Sequence, residues 1–188
     1  MKRLLFIVFI LIIAIDLTNA QQVYTYQEPS SNTGVGLQAG VAIPTGNFGD
    51  AASLGIGGEG TFEYRFTPQL GLDVSLGFYS WGSKNDLPPG YDFSIADIPL
   101  LVGARYLLMA GDFHPYAGAA LGIHFLNTKT TTPLVGDEST NDTKFGFAPM
   151  AGIRLHMPPN LDLDLNLKYN IISDANYLTI VAGVLVAL

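Results

Sequence analysis

From Leu161 to Tyr169 the chain reads Leu-Asp-Leu-Asp-Leu-Asn-Leu-Lys-Tyr, apolar at every odd position and polar or charged at every even one. A repeat of two is the pitch of a β-strand, so this stretch has one oily face and one ionic face. The same alternation recurs with varying strength in seven other places. The strands it predicts are Gly34–Ile43, Leu54–Phe66, Leu70–Tyr79, Asp97–Leu108, His114–Phe125, Thr143–His156, Leu161–Tyr169 and Tyr177–Leu188. Most reach the roughly 9–11 residues that a tilted strand needs to cross a bilayer.

The connectors alternate in length. Residues 67–69, 109–113 and 157–160 are short. Residues 44–53, 80–96 and 126–142 are long and rich in Gly, Asn, Asp, Ser, Thr and Pro, and 170–176 is intermediate. Alternating short and long links fit an up-and-down barrel with short periplasmic turns and long outer loops, and an even strand number returns both ends to the periplasmic side.

The two faces differ in chemistry. One carries residues such as Leu37, Phe62, Leu72, Leu76, Leu100, Leu121, Phe147, Leu165 and Ile180. The other carries Glu59, Glu63, Arg65, Asp73, Asp97, Arg105, Lys144, Arg154, Asp162, Asp164 and Lys168, with Gln38, Asn166 and many glycines between them. A cation on a lipid-facing position at mid-depth costs roughly 2–4 kcal/mol, and none falls on the apolar face. Six anions and five cations nearly cancel on the polar face. An eight-stranded barrel is wide enough only to be filled by side chains, and buried charges must be paired. These eleven residues therefore form a candidate lumen network, with the apolar face turned to lipid. The expected fold is all-β: an eight-stranded antiparallel up-and-down transmembrane β-barrel. A soluble, lipocalin-like carrier is the inverse arrangement, with apolar faces inward and charges in water. Tyr64, Phe66, Phe78, Tyr79, Trp81, Tyr106, Phe125, Phe145, Tyr169 and Tyr177 lie near strand ends, where interfacial girdles belong.

The segment before the first strand adds a destination. Lys2 and Arg3 precede twelve unbroken apolar residues, Leu4 to Ile15, and Thr18-Asn19-Ala20 offers a small-residue cleavage site. Twelve residues are too few for a spanning helix, which needs roughly 20. The expected organisation is a secretory leader over 1–20, a polar periplasmic lead-in over 21–33 and the barrel over 34–188. Without the leader, seven cations face fifteen anions, which argues against nucleic acid as a partner. The chain has no cysteine, so neither disulfides nor a lipidated N-terminal cysteine is available.

Motifs that could carry chemistry have plainer readings. Gly55-Ile56-Gly57-Gly58-Glu59-Gly60 has dinucleotide-loop spacing but lies in a strand with no helix after it. Asp162, Asp164 and Asn166 mimic the start of a calcium loop but lack its glycine and terminal glutamate. His114, His124 and His156 belong to no metal or hydrolase motif. No catalytic residue, cofactor or metal is assigned, and the chain is read as a non-enzyme, with a rim-located enzyme as a third reading. The residues placed at the outer loops as a contact region are Trp81, Lys84, Asp86, Tyr91, Lys129, Asp137 and Glu138.

The stretch from Gly36 to Phe48 resembles the opening strand and first loop of the outer-membrane β-barrel domain family, the small OmpA/OmpX-type barrels of Gram-negative bacteria. Tyr64-Arg65-Phe66-Thr67-Pro68 looks like that family's second strand and first tight turn. Pro115-Tyr116 with Gly118 and Gly122, and Phe145-Gly146 with Gly152, look like its fifth and sixth strands. One departure is Leu188, where such chains usually end in an aromatic that the assembly machinery reads. The resemblance implies a location in the cell outer membrane. It implies contact with outer-membrane lipid and lipopolysaccharide, passage through the barrel-assembly machinery and a monomeric state. The expected role is structural or surface-interacting, through an unidentified surface partner, with a narrow or gated pore as the alternative.

Overall fold

Alternating sequences hydrogen-bond through both strand edges while each face keeps one polarity, and a row of such strands satisfies its last edge by meeting its first. The computed structural model describes residues 32–84, 92–109, 111–132, 136–157 and 159–188, and shows this closure. Eight antiparallel strands form one closed barrel in sequence order: β1 (Thr33–Pro44), β2 (Gly55–Arg65), β3 (Leu70–Gly82), β4 (Asp92–Leu107), β5 (Phe113–Thr132), β6 (Gly136–Met157), β7 (Leu161–Ile172) and β8 (Tyr177–Ala187). The closing pair, β1 with β8, runs from Gly34 opposite Ala187 to Pro44 opposite Tyr177. Both described termini lie at one end, the terminal end, and the β1–β2, β3–β4, β5–β6 and β7–β8 connections lie at the other, the loop end. A single helical turn, α1 (Asn47–Ala51), sits in the first loop-end connection. Among the described residues no helix is long and apolar enough to cross a membrane.

The barrel is inverted relative to a soluble protein. Leu37, Ile56, Leu76, Leu100, Leu121, Phe145 and Leu165 stand outward and exposed, while Glu63, Asp73, Arg105, Arg154, Asp164 and Lys168 are buried inside. A carrier needs the opposite assignment, so the lipocalin-like reading is excluded by which face turns inward. Outward Tyr64, Phe66, Phe78, Tyr106, Phe125 and Phe145 are exposed, as a girdle requires. Tyr79, Trp81 and Tyr177 are not part of it. They are at most 2 % exposed and fill the lumen.

Glycines admit the close approach of neighbouring strands at one level. Gly40 and Gly57 are cross-strand partners, and a Cβ at either would collide with a neighbouring carbonyl, that of Ile180 or of Phe78. Two seams carry a gap in the ladder. Between β3 and β4 the pairing skips from Leu76–Leu100 to Tyr79–Asp97, across Pro99. Between β6 and β7 it skips from Phe147–Ile171 to Met150–Lys168, across Pro149. Proline has no N–H to donate, which accounts for both.

The strands differ from expectation mainly at the loop end. Residues 126–142, expected as a loop, are mostly strand: β5 and β6 pair out to Thr132 opposite Gly136. The segment is polar but rich in threonine: Thr128, Thr130, Thr131, Thr132 and Thr140. A β-branched side chain favours extended backbone whatever its polarity. The expected leader and lead-in, apart from Asn32 and Thr33, lie outside the described residues.

The two-faced strand has a direct test. Leu165 points outward, midway along β7, and Asn166 points inward and is buried. Leu165→Arg is expected to lower the unfolding free energy in lipid vesicles by about 2–4 kcal/mol. A cysteine placed at 165 in this cysteine-free chain should react with a lipid-soluble thiol reagent and resist a water-soluble one. Equal labelling by both reagents would contradict the outward assignment.

Candidate functional site: the filled lumen

Period-two geometry brings inward residues of all eight strands to one axis, and register decides their neighbours. Glu63 lies directly opposite Asp73 in the β2–β3 ladder, a like-charge pair that is unfavourable by itself. Arginines from elsewhere on the wall resolve it. Arg154 reaches across the barrel and donates from Nη1 and Nη2 to the two carboxylate oxygens of Glu63, at 2.9 and 2.7 Å. Its Nε donates to Asp164 at 3.2 Å, the residue opposite it in the β6–β7 ladder. Arg105 donates from Nε to Asp73 at 3.0 Å and approaches Asp164 at 3.5 Å and Glu63 at 3.8 Å. Arg65 lies 3.6 Å from Glu63. A forked guanidinium suits this multiple pairing better than a lysine would.

Neutral side chains complete the cluster. Tyr116 donates its hydroxyl to Asp164 at 2.7 Å and accepts from the Asn166 amide at 2.7 Å. Gln38 donates to the same Asp164 oxygen at 3.0 Å. Arg105 lies over the Tyr116 ring, 5.1 Å from its centroid. Nearer the loop end Lys168 donates to both oxygens of Glu59 at 2.8 Å, and Tyr79 donates to Glu59 at 3.2 Å.

The remaining two acids meet histidines. Asp97 is fully buried, 2.7 Å from His124 Nδ1, and accepts the Tyr177 hydroxyl at 2.7 Å. Asp162 is 2.6 Å from His156 Nδ1. His114 Nδ1 contacts the Met109 carbonyl at 2.9 Å. Among the described residues no group of three or more His, Asp or Glu is placed to hold a metal ion. The aspartates that mimicked a calcium loop are engaged with Arg154 and His156. Carboxylate-oriented His124 has its whole side chain enclosed, facing Gly146.

Above the charges sits an aromatic plug. Trp81 packs edge-on against Phe48 of α1 at 5.3 Å and Tyr177 at 4.9 Å, with Tyr79 at 6.3 Å. Its indole N–H donates to the Ala42 carbonyl at 3.0 Å. Within the lumen one void of about 10 Å³ lies beside Gln38, Thr61, Arg105 and Asp164, room for one water at most. The larger depression, about 270 Å³, lies at the loop end beside Thr45, Asn47, Asp174 and Asn176.

Ten of the eleven expected network residues are buried on the inner face: Glu59, Glu63, Arg65, Asp73, Asp97, Arg105, Arg154, Asp162, Asp164 and Lys168. Lys144 is the correction. Its ammonium leaves the lumen for the rim, donating to the Ser173 carbonyl at 3.0 Å and lying 3.4 Å from Asp174, because it lies beyond Gly146, the last β6 position paired with β7. Trp81 is a second correction. Expected in the outer contact surface, it is buried, since it shares the inward parity of Asp73, Ser75 and Tyr79 on β3. Counting by twos from Asp73 finds it. Of the other contact residues, Lys84 lies just beyond β3 and donates to the Gly49 carbonyl at 2.6 Å. Lys129 and Glu138 stand exposed on β5 and β6. Asp86, Tyr91 and the Asp137 side chain lie outside the described residues. Tyr116, His124 and His156 were missed as network members, although each lies an even number of residues from another inward position on its strand.

A closed eight-stranded barrel with an apolar exterior and an ionic interior defines a transmembrane β-barrel of the outer-membrane type. The chain belongs to the outer membrane protein β-barrel domain family, whose sequence model matches residues 7–187. No curated protein matches it in sequence. Among solved structures it resembles neisserial surface protein A (NspA), at 23 % identity and a TM-score of 0.62 over 84 % of this chain and 98 % of that one. It also resembles Ail, the attachment invasion locus protein of Yersinia pestis, at 16 % identity and a TM-score of 0.56 over 84 % and 97 %. A major outer membrane protein of Thermus thermophilus aligns at 13 % identity and a TM-score of 0.59 over 83 % and 99 %. At these identities the likeness is one of fold.

Two outcomes test the lumen. Arg154→Ala strands the buried carboxylates of Glu63 and Asp164, and is expected to cost about 3–5 kcal/mol of unfolding free energy in detergent or vesicles. A loss below about 1 kcal/mol would show that the cluster is hydrated rather than closed. Trp81 is the only tryptophan. Its fluorescence in the folded barrel should resist quenching by aqueous acrylamide, and quenching as efficient as in the unfolded chain would contradict the plug.

Proposed function

We propose that this protein is a closed, non-conducting outer-membrane barrel whose working surface is its loop end. The bidentate Arg154–Glu63 bridge across the lumen carries this reading. It spans opposite walls in an interior that also holds Tyr116, Arg105 and the Trp81 plug. The network then acts as a strut that keeps the barrel rigid, and activity falls to whatever the loop end touches. The outward apolar band is in contact with membrane lipid, lipopolysaccharide included. The leader delivers the chain across the inner membrane, the barrel-assembly machinery inserts it, and it works as a monomer without catalytic chemistry or cofactor. Two barrels of the same build carry names that refer to the cell surface and to attachment, which agrees with a contact role.

Planar-bilayer recording is the decisive measurement. The wild-type protein is expected to show no steady conductance, and a large, stable open level would replace this reading with the pore. Orientation has its own test. A Ser139→Cys protein should be labelled on intact cells by a membrane-impermeant maleimide, while Thr67→Cys, in the β2–β3 turn at the terminal end, should be labelled only after lysis.

A further inference from the structure

The aromatic plug holds a chain of groups that neither a strut nor a contact surface uses. Trp81 and Tyr177 are both buried and meet edge to face, with ring centroids 4.9 Å apart. This is ordinary aromatic packing, and it also puts two oxidisable rings within electron-transfer reach. Their polar ends differ. The indole N–H of Trp81 donates to the Ala42 carbonyl at 3.0 Å, and a backbone carbonyl is too weak a base to take a proton. The Tyr177 hydroxyl donates to Asp97 Oδ2 at 2.7 Å, within the roughly 2.6–3.2 Å over which a carboxylate can take one. The same oxygen lies 2.7 Å from His124 Nδ1. Asp97 Oδ1 and His124 Nε2 have no hydrogen-bond partner among the described residues. Tyr79 is the competing phenol. Its ring centroid is further from Trp81, at 6.3 Å, and its hydroxyl meets Glu59, a carboxylate that Lys168 already holds by both oxygens.

We propose that Trp81 and Tyr177 form a redox relay, in which a one-electron oxidation of the indole is handed to Tyr177 while its phenolic proton passes to Asp97. The oxidant is a one-electron oxidant dissolved in the water at the loop end. A single helical turn separates it from Trp81: Phe48 packs on the indole, and Asn47 and Asp50 of the same turn are exposed. The oxidant takes one electron from Trp81 and leaves an indole radical cation. Tyr177 then gives Trp81 one electron and its O–H bond breaks, as a new O–H bond forms on Asp97 Oδ2. Neutral indole is restored, and the hole rests on Tyr177 as a neutral phenoxyl radical. Electrostatics sets the direction. An indole radical cation is a new charge in a buried site, with only a carbonyl to meet it. After the transfer the positive charge is a proton held on the Asp97 carboxylate, beside His124. A one-electron donor of the thiolate or enediol class returns the electron, and Asp97 returns the proton. The relay thus keeps an oxidation reversible that would otherwise destroy the indole, and it does not depend on what the loop end touches.

The test uses the purified full-length barrel in detergent. With one tryptophan in the chain, light at the red edge of indole absorption ionises Trp81 alone, and a dissolved cobalt(III) ammine complex takes up the ejected electron. Transient absorption should show the indole radical cation giving way to a phenoxyl radical, at least twofold more slowly in heavy water. Tyr177→Phe, checked for folding by its heat-dependent gel mobility, should lower the phenoxyl yield at least tenfold and prolong the indole radical. Tyr79→Phe should leave yield and rate within twofold of the wild type. Asp97→Asn keeps the ring contact but removes the base, and should slow the transfer at least tenfold; the heavy-water comparison tests the same proton step without a substitution. A second measurement supplies the oxidant from solution as photogenerated ruthenium(III) tris-bipyridine, with ascorbate as donor. Trp81 fluorescence should then survive at least fivefold longer in the wild type than in Tyr177→Phe. An undiminished phenoxyl yield in Tyr177→Phe would overturn the proposal. So would a wild-type indole radical that persists or loses its own N–H proton, a transfer unaffected by heavy water, or equal loss of Trp81 fluorescence in the two proteins.

Discussion

Inside a hydrocarbon layer every backbone N–H and C=O must find a partner within the protein, and for a chain of strands the only complete solution is a closed sheet. The rest of the molecule follows from that closure. With eight strands the ring is too narrow to leave the interior empty or watery, so whatever faces inward becomes a solid core. Lipid takes the apolar face, and the core must then be built from polar and charged groups. The Pro99 and Pro149 seams are the places where closure is locally incomplete, and each breaks only two steps of its ladder.

A polar core is stable only when its charges are matched. Here four cations, Arg65, Arg105, Arg154 and Lys168, stand among six buried carboxylates, and the two acids furthest from them, Asp97 and Asp162, are met by His124 and His156. Tyr116 is the neutral hinge of the arrangement, taking a hydrogen bond from Asn166 and giving one to Asp164 while its ring lies under Arg105. Gly152 makes room for it, because a Cβ there would collide with the Tyr116 ring. Rigidity comes from this network more than from an apolar interior, whose two buried clusters are the plug around Trp81 and the small group of Leu101, Ala120, Ala148 and Met150.

The two ends divide the labour. At the terminal end tight turns such as Phe66–Leu70, where Thr67 accepts two backbone N–H groups, join the strands with few residues. At the loop end the strands overrun the ring, and β4, β5 and β6 continue as a blade of sheet. A barrel wall in lipid cannot tolerate an open edge, but a blade above it can.

Much of this was legible from a repeat of two. The alternation at Leu161–Tyr169 and its seven counterparts set the strand number, the antiparallel order and which residues share a face, because side-chain direction along a strand is a local property. The absence of cations from the apolar face settled which side meets lipid. The same local rule puts ten of the eleven charged residues on the buried inner face and, applied strictly along β3, puts Trp81 there too. What the sequence could not supply is which inward residue meets which. Arg154 and Glu63 are far apart in the chain, and their contact depends on the register of every seam between them. The fate of Lys144 depends on where β7 ends, and that of residues 126–142 on whether two threonine-rich segments find each other. Side-chain parity is written in consecutive residues. Pairing across the lumen, and the strand edge left over beyond the rim, exist only once the sheet has closed on itself.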